Sequence, residues 1–84
     1  MDPRPTVLVV DDDPAISALM RDFLEAESLH VEVAGDAPMA LAALDRRRVD
    51  CLLLDVMLPG QSGFELCRQV RQRFVDLRVD LTAI

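Results

Sequence analysis

Two short apolar runs, each closing on acid, constrain this 84-residue chain more than any other feature. Leu52-Leu53-Leu54 ends at Asp55, and Val7-Leu8-Val9-Val10 ends at Asp11-Asp12-Asp13. Neither run is long enough for an independent helix, and neither alternates polar with apolar residues. The pattern predicts strands at Thr6 to Val10 and Cys51 to Leu54 that are covered on both faces, as in a parallel sheet. Beyond Asp55, Val56-Met57-Leu58-Pro59-Gly60 predicts a loop punctuated by Pro59 and Gly60. An acid at the carboxyl end of a central parallel strand lies where open α/β sheets place their ligands. A lone Asp there serves equally as a helix N-cap or a solvated loop acid. A second acid cluster at the other strand end is what points to chemistry.

The intervening segments predict helices and flanking strands. Asp13-Pro14 fits an N-cap followed by Pro at the first helical position. A helix from about Pro14 to Glu27 then puts Ile16, Leu19, Met20, Phe23 and Leu24 on one buried stripe. Leu29 to Ala34 alternates Leu29, Val31 and Val33 with His30 and Glu32, which suits a half-exposed edge strand with His30 as a solvated imidazole. Gly35-Asp36 turns the chain into a helix capped by Asp36 or Ala37, with Pro38 in its first turn and a thin stripe of Ala40, Leu41 and Leu44. Ser62 caps a third helix, where Leu66, Val70 and Phe74 recur at four-residue intervals beside Phe64 and Cys67. Leu77 to Leu81 predicts an exposed edge strand, because Arg78 and Asp80 alternate with apolar residues.

Strand-helix alternation with short connections implies right-handed crossovers and an α/β doubly wound parallel sheet. The two strands without alternation must be central, so the strand order is 2-1-3-4. Such a sheet reverses its winding between the first and third strands, and Asp11, Asp12 and Asp55 project into that crevice.

Length allows one small domain and no second. No apolar run approaches the roughly 20 residues that span a bilayer, and Met1-Asp2-Pro3-Arg4-Pro5 lacks an apolar signal segment. The expectation is a soluble cytoplasmic protein without membrane contact. Fifteen acids against nine cations, all Arg, give a net charge of -6, which argues against direct nucleic-acid binding by this segment. Arg46-Arg47-Arg48 ends the second helix, where cations favour the macrodipole. Cys51 and Cys67 have no metal-binding or redox spacing and read as reduced core thiols.

Three carboxylates crowded at one point repel one another and raise their pKa values unless a cation intervenes. Mg2+ prefers oxygen ligands and keeps several waters, so a few protein oxygens suffice. Asp12 and Asp55 would supply carboxylates, Met57 its backbone carbonyl, and Asp11 a contact through water. With its charge offset, Asp55 is suited to nucleophilic attack on phosphorus, as in aspartyl-phosphate formation.

Val-Leu-Val-Val-Asp11-Asp12-Asp13-Pro14, the run from Leu52 through Asp55 to Gly63-Phe-Glu-Leu-Cys-Arg, and Leu81-Thr82-Ala83 together resemble the receiver domain of bacterial two-component response regulators. The likeness covers the whole chain, residues 1–84, and implies the flavodoxin-like (CheY-like) fold. It also implies that Asp11 and Asp12 bind the metal, that Asp55 accepts a phosphoryl group from a histidine kinase or phosphotransfer protein, and that Thr82 is the switch hydroxyl. The implied role is a signalling switch in a phosphorelay, not a turnover enzyme. The Asp55 loop most resembles regulators that carry a DNA-binding output domain.

The resemblance also implies departures. A complete receiver has about five strand-helix units, whereas this sequence stops past the fourth strand and contains no Lys to pair with a phosphoryl group. A C-terminally incomplete receiver would expose apolar residues of the first and third strands beside the first helix, and self-association or domain swapping is expected to cover them. Ser28 stands where a left-handed Gly usually ends the first helix. The missing Lys favours one alternative, a phosphorylation-independent interaction module. A hydrolase reading is weakened because Met57, not a second acid, lies two residues past Asp55. A dinucleotide site is weaker still, as no glycine follows the first strand.

Overall fold

The computed structural model describes residues 3–58 and 60–82. Pro59, Ala83 and Ile84, which belong to the expected loop and last motif, lie outside the described residues. Four strands and three helices alternate as β1 (Thr6–Val10), α1 (Pro14–Ala26), β2 (His30–Ala34), α2 (Ala37–Arg46), β3 (Cys51–Asp55), α3 (Gly63–Arg73) and β4 (Arg78–Thr82). All pairings are parallel, in the order β2-β1-β3-β4. The apolar runs set this order: every residue of β1 is buried, as are Leu52, Leu54 and Asp55 of β3, and the alternating strands flank them.

The helices start where their caps lie. Asp13 accepts hydrogen bonds from the amides of Ala15 and Ile16 at 2.9 and 3.4 Å. Asp36, the cap rather than Ala37, accepts from Met39 at 2.9 Å, and Ser62 accepts from Glu65 at 3.2 Å. Each bond satisfies an amide that has no partner within its helix. Ser28 follows α1 at φ +64°, the left-handed conformation its place after the helix requires. Element ends shift slightly from expectation. Glu27 is the cap that follows α1, β2 begins at His30 instead of Leu29, and β4 runs one residue later, taking in Thr82. Asp50 has an unanticipated role, accepting the Thr6 amide at 2.8 Å and tying the starts of β1 and β3 together.

The two sheet faces are covered unequally. Under α2 and α3 lies the larger core, including Leu8, Val10, Leu52, Leu54, Leu66 and Val70. Under α1 the buried cluster is only Val7, Val9 and Val31, with Met20, Leu24, Cys51 and Leu53 partly buried around it. This corrects the expected α1 stripe. Met20 and Leu24 face the sheet, but Leu19 and Phe23 are 66 % and 67 % exposed, because no described element packs on that flank. It also corrects the expected exposure of β1. Val7 and Val9 are covered by α1, and only Cys51 and Leu53 of β3 remain partly solvated. Both cysteines are free thiols, and burial followed by the nearby Asp80 carboxylate pushes the Cys51 thiol up. His30 is partly buried and shares Glu32 with Arg47, so it is not the solvated imidazole expected. No helix among the described residues is long and apolar enough to cross a membrane.

Candidate functional site

The carboxyl ends of β1 and β3 are adjacent because Val10 pairs with Leu54. Chain continuation from those residues brings Asp11, Asp12 and Asp55 together, each offering a carboxylate oxygen within 4.8 Å of the others. Asp11 and Asp55 are nearly buried, at 7 % and 3 % exposure, whereas Asp12 faces solvent. One oxygen of each buried acid is held by the backbone two residues on. Asp13 donates its amide to Asp11 Oδ1 at 2.9 Å, and Met57 donates its amide to Asp55 Oδ1 at 2.9 Å.

The surrounding bonds fix the strand ends. The Asp11 amide donates to Ala34 at 3.1 Å, and the Ser17 hydroxyl of α1 donates to the Asp11 carbonyl at 3.4 Å. On the other side, the Val56 amide donates to the Thr82 carbonyl at 2.9 Å, extending the β3–β4 ladder past Asp55. Thr82 lies opposite Asp55 in register, and its hydroxyl makes a 3.4 Å bond to the Leu54 carbonyl. Gly63 closes the loop from α3. A side-chain carbon there would collide with the Asp55 carbonyl oxygen and Val56 Cα, so only glycine permits this approach.

Burial is the largest influence on Asp11 and pushes its carboxyl above the ordinary carboxylate range. The Asp13 amide opposes that shift, and the charges of Asp55, Asp12 and Asp13 reinforce it. The donor set is all oxygen, clustered and negatively charged, with two members withdrawn from water. Those properties fit a hard divalent cation such as Mg2+ and give no soft ligand for a thiophilic metal.

The response regulator receiver domain model matches residues 7–82. The chain belongs to that family. The receiver is 48% identical over 69 residues to the phosphate regulon transcriptional regulatory protein PhoB of Rhizobium meliloti, an alignment covering 82% of this chain and 30% of that protein. It thus spans about 30% of the length of the curated relatives it matches. Among solved structures, it resembles the response regulator TrrA of Thermotoga maritima in complex with Mg2+-BeF, with a TM-score of 0.88 and 31% identity, covering 92% of this chain and 67% of that one. The complex of the histidine kinase ThkA with TrrA gives a TM-score of 0.89 at 30% identity, covering 94% of this chain and 68% of that one.

Of the site residues read from the receiver sequence, Asp11, Asp12 and Asp55 converge, and Thr82 sits level with Asp55 on the next strand. Met57 adjoins the cluster through its backbone, while its side chain is 73 % exposed. Ser17 was missed. The signal was its place three and seven residues before Met20 and Leu24, on the face that meets the sheet.

Proposed function

We propose that this receiver is a phosphoacceptor that takes a phosphoryl group on Asp55 from a histidine kinase or phosphotransfer protein, with Mg2+ held by Asp11, Asp12, Asp55 and the Met57 carbonyl. The convergence of three carboxylates on the reversal point of the sheet carries this reading. When bound, Mg2+ would offset the acids' charge and that of the incoming phosphoryl oxygens.

The chain's own residues do the remainder. The Met57 amide holds Asp55 Oδ1 and so orients the carboxylate. A carboxylate oxygen forms the new bond to phosphorus as the phosphorus-nitrogen bond of the donor phosphohistidine breaks. The imidazole keeps that electron pair and takes a proton from solvent. Thr82 holds only a long bond to Leu54, so its hydroxyl turns at little cost toward the phosphoryl group and carries the change into β4. This makes the protein a signalling switch, with at most self-phosphorylation and autodephosphorylation chemistry, acting in the cytoplasm.

The kinase complex of TrrA supports the partner class, and the Mg2+-BeF complex of TrrA supports the metal. A transcriptional output for the parent protein rests on the naming of PhoB as a transcriptional regulatory protein. The exposed flank of Leu19 and Phe23 supports self-association of isolated chains, which sedimentation over a concentration series tests.

Incubation with acetyl phosphate and Mg2+ tests the central reading. The expected product is an acyl phosphate at Asp55, removed by hydroxylamine and abolished by Asp55→Asn or by chelation. A phosphoryl group mapped to another residue, or none on either this chain or its parent, overturns it.

A further inference from the structure

His30 and Glu32 lie two residues apart on β2, on the sheet face that carries Ala34 into the core under α2. The end of α2 comes down on them. Arg47, the residue that caps this helix, places Nη1 3.1 Å from Glu32 Oε2 and 3.2 Å from His30 Nε2, and the same ring nitrogen is 3.2 Å from Glu32 Oε2. A donor that never loses its charge, a carboxylate and an imidazole nitrogen thus meet in a closed triangle. Arg46 stands farther off, 3.8 Å from Glu32 Oε1. Among the described residues, the other charges near this corner are already engaged. Asp45 of α2 meets Arg73, and Asp50, before β3, meets Arg48 and accepts the amide of Thr6, the β1 residue level with His30.

The triangle cannot hold all three of its bonds together. An imidazole nitrogen either carries a hydrogen and donates or keeps a lone pair and accepts. As an acceptor, His30 Nε2 takes a bond from Arg47 and offers none to Glu32. As a donor, it bonds Glu32 and turns an N–H against the Arg47 N–H. Protonation makes both ring nitrogens donors, which removes the first arrangement and sets two like charges side by side. His30 and Arg47 then compete for one carboxylate oxygen. The imidazole is a short side chain on a paired strand and 24 % exposed, whereas Arg47 is a long side chain at a helix end and 40 % exposed, where water is able to take its donors.

We propose that His30, Glu32 and Arg47 form a proton-operated latch between β2 and the end of α2. With the His30 ring neutral, Arg47 is fastened to both partners; with the ring protonated, Glu32 Oε2 passes to the imidazolium and Arg47 turns out into solvent. Arg47 is also the cap residue, its amide donating to the Ala43 carbonyl at 3.2 Å, so the last turn of α2 loosens as the side chain lets go. The latch uses no residue of the acid cluster and works whether or not Asp55 is phosphorylated.

The test is a nuclear magnetic resonance titration of the 84-residue chain, labelled with nitrogen-15 and carbon-13, from about pH 8 to about pH 5, where imidazole normally changes charge. The His30 ring carbons report its protonation, and the Arg47 side-chain Nε and backbone amide report the latch. Arg47 Nε is expected to change from an ordered to a mobile nitrogen, and its amide to shift, both with the midpoint of the His30 ring. His30→Gln, whose amide oxygen accepts a bond from Arg47 at any pH, is expected to abolish that step and keep Arg47 ordered throughout. Arg47 signals that stay unmoved while the ring titrates overturn the proposal, as does a step that persists in His30→Gln or a ring that does not change charge across the range.

Discussion

In the proposed metal site Asp11 would carry opposing demands: ionisation to hold a cation, against near-burial beside two other acids. Its raised pKa means that the folded chain binds this proton more tightly than the unfolded chain does. Stability from this group is therefore greatest at acidic pH and falls as pH rises from the ordinary carboxylate value through the raised one. Asp11→Asn removes the charge while keeping an oxygen for the Asp13 amide. In the presence of chelator at neutral pH, it is expected to raise the melting temperature, because the neutral side chain escapes the cost of burying a charge beside two other acids. Thermal melts of both proteins across the acidic range check this, with the gap closing as pH falls; a lower melting temperature for Asp11→Asn at neutral pH would contradict it. The acids were legible in the sequence because each follows an apolar run whose length is that of a strand. Ser17 is legible only in part: its spacing from Met20 and Leu24 puts it on the sheet-facing side of α1, but nothing in the sequence shows that its hydroxyl meets a strand-end carbonyl at 3.4 Å. Ser28 was legible only through the resemblance. At φ +64° its side chain is strained, so Ser28→Gly is expected to raise stability by about 1 kcal/mol in denaturant titration.

Elements were read well where a single cause fixed them. Caps at Asp13, Asp36 and Ser62 began helices where the sequence placed them, and uninterrupted apolar runs became the two central strands. Burial within α1 was read less well. Spacing identifies an apolar stripe but not how wide a flank the neighbouring elements cover, and so Leu19 and Phe23 came out exposed. The joint between β3 and α3 shows how an element serves the site. The Gly63 amide donates to the Val56 carbonyl at 3.0 Å, and its missing side chain lets α3 start directly against the Asp55 peptide. Gly63→Ala forces backbone against backbone, with no flexible side chain to yield. A loss of about 1–3 kcal/mol is expected, as for overpacking in a filled core. It should also weaken Mg2+ binding in calorimetric titration, because the shift required falls on Asp55 itself. An unchanged melting temperature would show that the loop has room the structure does not contain.

Across the whole molecule the sheet divides a well-filled face from a sparsely covered one. Among the described residues, thirteen form the buried cluster under α2 and α3, against three under α1. Since burying apolar side chains is the main favourable contribution to folding, local stability should follow that division. Leu66→Ala, at a fully buried position, is expected to cost about 2–5 kcal/mol, whereas Leu19→Ala on the exposed flank is expected to change stability by only about 0.5 kcal/mol. Hydrogen exchange reads the same asymmetry without mutation. Central amides of α1 should exchange through openings less costly than those of α3, although α1 is longer by two residues and its Asp13 cap bonds two amides where the Ser62 cap of α3 bonds one. Helix length and capping would favour α1, so the two explanations predict opposite orders. If α1 proves at least as protected as α3 in dilute chains, either its flank is covered in solution by something other than the described elements or helix length and capping outweigh packing. A concentration series then separates the causes: protection gained with concentration means a second copy covers Leu19 and Phe23, and protection independent of it means that capping outweighs packing in this helix.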